Sequence, residues 1–270
     1  MSLAEDLAIR TPKFLIVDIE TAPTMAFVWE QYKTNVIATE RDWYMMSFAY
    51  KWFPDGPIEF VSLPDRKAWK PNSDDDGHVV KKLAKLFDEA DVVMAYNGDG
   101  FDIPKAQARM LYHGIKPTST FQSIDPLKIM KKHFKLYSNS LKEVARYLDL
   151  DTQKLGSVGF DTWRACMAGD AKAWVRMEEY NRRDIEVLEE IYMELQPWIN
   201  RARPNAQFNW AHFVEEGASV CPACGADGLK RKGVYRTAVS EFPEFVCKGC
   251  GNRPRGRYRL KQYGGGVKAK

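Results

Sequence analysis

Short, nearly unbroken apolar runs alternate along the chain with longer stretches in which apolar positions recur every three or four residues. FLIVDIE, Phe14 to Glu20, is apolar until it turns acidic at its end, which predicts a buried central strand. WYMMSFAYKWF and IEFVSL predict two further strands, and the short turn-like PDGP between them (Pro54 to Pro57) favours antiparallel pairing. From His78 to Ala90 the pattern becomes helical, with Val79, Leu83, Leu86 and Phe87 on one side. DVVMAYNG (Asp91 to Gly98) predicts a second buried strand, and IPKAQARMLYHG a helix that ends at Gly114. A strand near Phe121 to Ile124 and helices around Pro126 to Phe134 and Ser140 to Leu148 come next. Asp151 to Gly169 shows no clear period, and a long helix is predicted over Ala171 to Pro197. Strands followed by alternating helices and strands predict a mixed α/β sheet with the long helix packed against it, and no internal repeat is visible.

Composition fits this picture. A hydrophobic fraction of 45% over 270 residues is that of a folded globular protein with room for one substantial domain and a small module. No apolar run approaches the ~18–20 residues needed to cross a bilayer. MSLAEDLAIRTPK lacks the basic start and apolar core of a secretory signal, and five cysteines, four of them in two tight pairs, point to a metal site and hence a reducing, cytoplasmic setting. From Arg201 onward there are 14 basic against 5 acidic residues, which leaves 26 against 31 in the first 200. A weakly acidic body with a basic end points to an acidic catalytic centre and a separate nucleic-acid-binding element.

Three acidic pieces carry the candidate chemistry. Asp18 and Glu20 are two apart on a strand, so both leave the same face, at the carboxyl end where open α/β sheets place their sites. Alone, D-x-E also describes a surface strand ending in acids. YNGDGFDIP, Tyr96 to Pro104, follows the second buried strand and puts Asp102 just beyond a sharp turn. Alone, that is an ordinary turn with a helix-capping aspartate. In the long helix, Met177, Tyr180, Asp184, Leu188, Ile191 and Leu195 recur as a buried stripe. An unpaired aspartate in such a stripe is expensive, and Tyr180 is its neighbour one turn earlier. Four crowded acids repel one another and raise their pKa values. Two divalent cations remove that conflict, and oxygen-only ligands favour Mg or Mn over Zn. Two such metals about 4 Å apart stabilise the attacking and leaving oxygens of a displacement at phosphorus, so phosphodiester hydrolysis is the expected reaction.

These motifs resemble those of the DEDD superfamily of 3′-to-5′ exonucleases, whose fold is ribonuclease H-like. DIET is similar to the first motif, YNGDGFDIP to the second, and YNRRD to the third in its Tyr-x-x-x-Asp form, that of the tyrosine subgroup. The second also resembles the exonuclease motif of family B DNA polymerases. The histidine subgroup places its helper five residues before the last aspartate, where this chain has Glu179. The likeness runs from about Phe14 to Trp198, and the whole chain, cysteine end included, is similar to exonuclease-like proteins of phages and bacteria. It implies a ribonuclease H-like mixed sheet flanked by helices. It further implies that Asp18, Glu20 and Asp184 hold one metal. Asp18 would bridge to a second that Asp102 binds directly or through water, and Tyr180 would orient the attacking water. The implied substrate is a single-stranded DNA 3′ end. Asn97 and Phe101 flank the second motif and are candidates for sugar or base contacts, with turn formation and packing as the equal alternative.

CPACG and CKGCG, Cys221 to Gly225 and Cys247 to Gly251, are paired C-x-x-C knuckles with 22 residues between Cys224 and Cys247. Four thiolates at that spacing predict a zinc ribbon of two strands and a hairpin holding one structural Zn, and they argue against a disulfide framework. Cys166 stands alone and reads as a packed thiol. Lys230, Arg231, Lys232 and Arg236 lie within the ribbon, and Arg253, Arg255, Arg257, Arg259 and Lys261 follow its last knuckle. With Tyr235 and Tyr258 they are candidates for following a phosphate backbone and stacking bases; the alternative is a purely structural or protein-contacting module. The organisation expected is a nuclease domain over 1–200, a linker over 201–218, the ribbon over 219–262 and a flexible tail over 263–270. An RNA-trimming or endonucleolytic enzyme on the same fold, and a DNA-binding adaptor using the ribbon, are the competing functions.

Overall fold

The computed structural model describes residues 12–32, 34–150, 158–199, 209–214 and 218–262. Contacts divide the chain into one unit of Lys13–Ile191 and another that includes Tyr192–Lys270. The expected flexible tail, 263–270, lies outside the described residues.

In the first unit the strands are β1 (Phe14–Thr21), β2 (Met25–Phe27), β3 (Ala38–Arg41), β4 (Met45–Phe53), β5 (Ile58–Ser62), β6 (Val92–Met94) and β7 (Gln122–Ile124). The helices are α1 (Gly77–Glu89), α2 (Asp102–Tyr112), α3 (Pro126–His133), α4 (Leu141–Tyr147), α5 (Phe160–Met167) and α6 (Ala171–Leu195), the last running on into the second unit. Five strands form one sheet in the order β5-β4-β1-β6-β7. The short turn makes β4 and β5 antiparallel, and β4 is antiparallel to β1. The connections carrying α1 and α2 return β6 and β7 parallel to β1 and to each other. The result is the expected mixed sheet flanked by helices.

Alternation along β1 assigns its two faces. Leu15, Val17 and Ile19 share a core with Val79, Leu83 and Phe87 of α1. Phe14, Ile16, Asp18 and Glu20 point the other way. There α6 crosses: Asn181 donates to Asp18, and Lys51, opposite Ile16 in the β1–β4 register, pairs with Glu189 at 2.7 Å. The ladder shifts register between Glu20 and Thr21, so β1 is irregular just where its acids end.

Several elements differ from the expectations. Strand β6 stops at Met94 rather than Gly98, because the chain turns through Asn97 at φ +62°. Helix α6 stops at Leu195 and gives way to a single 3-10 turn, Gln196–Trp198, where Pro197 has no N–H to continue the ladder. The hairpin of β2 and β3 and the helix α5 are additions. Phe27, Trp29 and Tyr32 of the hairpin region stand largely in solvent.

A buried ionic cluster ties α1, α2 and β4 together. Asp76 is fully buried and accepts from Met45 N at 2.8 Å and from Arg109 Nε and Nη2 at 2.7 and 2.6 Å, with His113 Nε2 at 2.5 Å.

The second unit contains β8 (Leu229–Arg236), β9 (Ser240–Cys247) and β10 (Lys261–Gln262), a three-stranded antiparallel sheet in the order β10-β9-β8. Asn252, almost fully buried, donates from Nδ2 to the carbonyls of Gln196, Pro197 and Ile199, which anchors the second knuckle to that stretch of backbone. Of the expected linker, 209–214 and 218 are described. The former stretch forms a 3-10 turn at Trp210–Phe213, and Trp210 packs so closely over Gly225 that a Cβ there would meet its ring at 3.3 Å.

Candidate metal-dependent active site and cysteine cluster

The acidic pocket lies at the carboxyl ends of β1 and β6. Asp18, Glu20 and Asp184 each bring a carboxylate oxygen within 4.8 Å of the other two. The strand supplies the first pair through its two-residue period, and α6 supplies the third from the helix that crosses that face.

Asp102 is outside this trio but beside it. It is 2% exposed, sits in the first turn of α2, and its Oδ1 accepts from Ile19 N, between the two strand acids, at 3.0 Å. The loop before it is built from short-range bonds: Gly98 N to Ala95 O, Phe101 N to Asn97 O and Ile103 N to Gly98 O. Gly98 is required there, since a Cβ would lie 2.5 Å from that of Ala95.

The electrostatics of the site follow from burial and the crowding of its acids. Burial, then the charge of Asp184, Glu20 and Asp102, raises the Asp18 carboxyl well above its ordinary range. Burial, followed by Asp184 and Asp102, pushes Glu20 up to about 8. Burial likewise raises Asp102 to about 7 and Asp184 to about 6, opposed by the Ile19 amide and by the Tyr180 hydroxyl respectively. Burial and the same acids hold the Tyr180 phenol far above its ordinary value, so it stays protonated at neutral pH. Among the described residues no cation pairs with the trio. Three or four acids held this close without counter-charge are a donor set that fits hard divalent cations.

Asn181 belongs to this site and was missed in the sequence. It is fully buried, and its Nδ2 donates to Asp18 Oδ2 at 2.6 Å and to Asp18 O at 3.1 Å, while its Oδ1 lies 3.5 Å from Ser47 Oγ. It fixes the carboxylate to which the resemblance gives the bridging role. The available signal was its place four residues after Met177 and four before Ile185, in a row of buried positions.

A second missed feature is a cleft of about 420 Å³ lined by Thr21, Thr24, Trp43, Lys105, Phe160 and Trp163 among others. Three of these lining residues adjoin a site residue. Thr21 follows Glu20, Lys105 is one turn beyond Asp102, and Trp163 meets the Tyr180 ring edge-on with centroids 6.0 Å apart. The Lys105 ammonium lies 3.9 Å from the centre of the Trp43 ring and 5.1 Å from that of Phe101. Phe101 itself is half-buried against the core, and Asn97 is exposed, its backbone N–H donating to Asp125 Oδ1 at 3.0 Å.

In the second unit, Cys221, Cys224, Cys247 and Cys250 bring their sulfurs within 4.8 Å of one another. The Cys221–Cys250 and Cys224–Cys247 separations are 3.8 and 3.7 Å. A tetrahedron with Zn–S arms of 2.3 Å has edges of about 3.8 Å, so the arrangement fits zinc. A disulfide requires about 2.0 Å, and the four are free thiols. Gly225 and Gly251, at φ +76° and +74°, close the two knuckles. Cys166 is a buried free thiol remote from both clusters in sequence.

The basic residues of this unit divide. Lys230, Arg231 and Lys232 are exposed along β8. Arg236 pairs with Glu241 at 2.9 Å and Arg253 with Glu244 at 2.5 Å, Arg255 lies over the Phe242 ring at 4.2 Å, and Arg259 bonds the Gln262 side chain. Arg257 is exposed.

No helix among the described residues is long and apolar enough to cross a membrane. No curated protein matches the chain. The solved structure of the family B DNA polymerase from the hyperthermophilic archaeon Pyrobaculum calidifontis is similar, with a TM-score of 0.50 and 15% identity. That likeness covers 85% of this chain but 32% of the polymerase, so the chain spans about a third of its length, and what the two share is the fold. A family model for the RNase H superfamily matches residues 59–196, a span that contains Asp102, Tyr180 and Asp184 and begins after Asp18 and Glu20. With just over half of its length matched and an RNase H-like sheet, the chain belongs to the RNase H superfamily.

Proposed function

We propose that the protein is a metal-dependent 3′-to-5′ exonuclease that hydrolyses single-stranded DNA from its ends. The observation that carries this reading is the convergence of Asp18, Glu20 and Asp184 within 4.8 Å, with Asp102 bonded to the same strand. Asp18, Glu20 and Asp184 would hold one Mg or Mn ion, and Asp18 and Asp102 a second. Ions held there would supply neutralisation of the charge on the attacking and leaving oxygens at phosphorus.

The remaining steps belong to the protein's own groups. Asn181 keeps Asp18 in one orientation. Tyr180 stays a phenol, bonded to Asp184, and so positions the attacking water rather than removing its proton. The cleft bounded by Trp43, Phe160 and Trp163 receives the terminal nucleotide, its rings offering faces to a base and Lys105 a charge to a phosphate. The four cysteines would hold one structural zinc ion, and the exposed Lys230, Arg231 and Lys232 of β8 give that unit a nucleic-acid contact. The 3′ polarity and the preference for DNA rest on the motif resemblance.

The test uses 5′-labelled single-stranded DNA, duplex DNA and RNA with Mg or Mn, against EDTA and Asp184→Ala controls. A metal-dependent ladder shortening from the 3′ end of single-stranded DNA is expected. Discrete internal cuts would mean an endonuclease, faster loss of RNA an RNA-trimming enzyme, and binding without cleavage an adaptor.

A further inference from the structure

The segment from α3 to α4 is the strongest concentration of positive charge in the acidic part of the chain. Between Pro126 and Leu148 there are six Lys or Arg residues and one acid, Glu143; the rest of residues 1–200 then holds 20 basic against 30 acidic. Lys128 pairs with Asp99 at 2.5 Å and Arg146 with Glu143 at 2.9 Å. Lys131, Lys135 and Lys142 are exposed, and no ion pair of theirs occurs among the described residues. Tyr137, between them, is 101% exposed. A solvated helix face needs charge but no ring standing wholly in water, and a tyrosine set among lysines is the composition that stacks bases while following a backbone.

Position gives this patch its meaning. The loop that leads to Asp102 is bonded to the segment at three points. Asp125, the cap of α3, accepts from Asn97 N at 3.0 Å and Leu127 N at 3.0 Å. Asp99 pairs with Lys128, and the Tyr96 hydroxyl donates to Asn139 O at 2.7 Å. The lysines are thereby held to the same loop that positions an acid of the pocket, within the same unit of the chain.

We propose that the α3–α4 segment is the surface that holds single-stranded nucleic acid while its end occupies the carboxylate pocket. Lys131, Lys135 and Lys142 contact successive phosphates, and Tyr137 stacks on a base. The role as a feed to the pocket rests on the nuclease reading, whereas binding by the patch does not.

The experiment is fluorescence anisotropy with the full chain and no added Mg or Mn, so that binding is read without cleavage and without stripping the cysteine site. The probes are labelled oligothymidylate, oligouridylate and a mixed-sequence duplex, across a salt series. Combining Lys131→Ala, Lys135→Ala and Lys142→Ala is expected to lower single-strand affinity and to flatten the slope of log K against log salt by about 2, at ~0.7 per cation. A control combining Lys67→Ala, Lys81→Ala and Lys85→Ala, exposed lysines outside the α3–α4 segment, leaves both unchanged. Tyr137→Ala weakens single-strand binding about fivefold or more and leaves duplex binding alone. The two single-stranded probes separate the sugar backbones, either of which suits the lysines. The proposal is overturned if the triple variant behaves like its control, or if Tyr137→Ala affects duplex and single strand alike. Absence of nuclease activity in the wild type would sink the proposed function while leaving this binding result readable.

Discussion

Replacing Asp102 by Asn should make the metal-free protein more stable at high pH, the opposite of what the loss of a useful carboxylate suggests. Asp102 is 2% exposed and its carboxyl titrates at about 7 in the folded chain, against an ordinary 3.8, because burial disfavours the anion. A folded value above the unfolded one means that the fold favours the protonated acid. The contribution is therefore fully present below about pH 4 and is lost as pH rises through about 7. The difference of about three pH units, at 1.36 kcal/mol each, is about 4 kcal/mol. Glu20, pushed to about 8, adds in the same direction, and each proton taken up by one acid relieves the others, so 4 kcal/mol is a ceiling for Asp102 alone. Asparagine keeps an oxygen for the Ile19 amide and removes the charge. Urea unfolding in EDTA at pH 4, 6 and 8 should show the variant gaining on the wild type as pH rises, by roughly 2–4 kcal/mol at pH 8. Saturating Mg at pH 8 should stabilise the wild type and the variant less, because the cation binds the ionised cluster. A wild-type-to-variant gap that does not change with pH in EDTA would refute the reasoning.

Three other outcomes are expected. Asn181→Ala frees the Asp18 carboxylate, so metal affinity or turnover should fall about 10–100-fold while the circular dichroism spectrum stays that of the wild type, measured by Mn titration and initial rates. Arg109→Ala leaves Asp76 buried without its bidentate partner and should cost about 3–5 kcal/mol in a denaturant titration, with the residues of the carboxylate site untouched. Purified protein should contain one Zn per chain by elemental analysis, and Cys221→Ser should lose it together with the protection of β8 and β9 amides from hydrogen exchange.

How far the sequence could be read depended on whether a residue's role was local. Strand β1 and the β4–β5 pair were legible as apolar runs bounded by turn residues, β1 and most of β4 being buried on both faces, and α1 was legible because burial of one face imposes a helical period. Tyr180 and Asp184 were legible because acids rarely occupy a buried helical row, although both prove half-buried, with the fully buried positions alongside them at Asn181 and Ile185. Asn181 escaped notice because asparagine on a helix usually faces water, and only its bond to a strand 163 residues away explains it. The β2–β3 hairpin left no period, since its strands are held by pairing and are largely exposed. The Asp76–Arg109–His113 cluster was invisible for a different reason: its members are 33 and 37 residues apart, and only the fold makes them neighbours. The four cysteines were the easiest case, because ligand spacing is written directly into each knuckle.

The central claim is that Asp18, Glu20, Asp102 and Asp184 form a site for two divalent ions. Anomalous scattering from crystals soaked in Mn tests it most directly. Two Mn ions about 4 Å apart are expected, one among Asp18, Glu20 and Asp184 and the other between Asp18 and Asp102, with that pair lost in Asp18→Ala. Saturating Mn with no ion at these carboxylates, or an undisturbed pair in Asp18→Ala, would contradict the account.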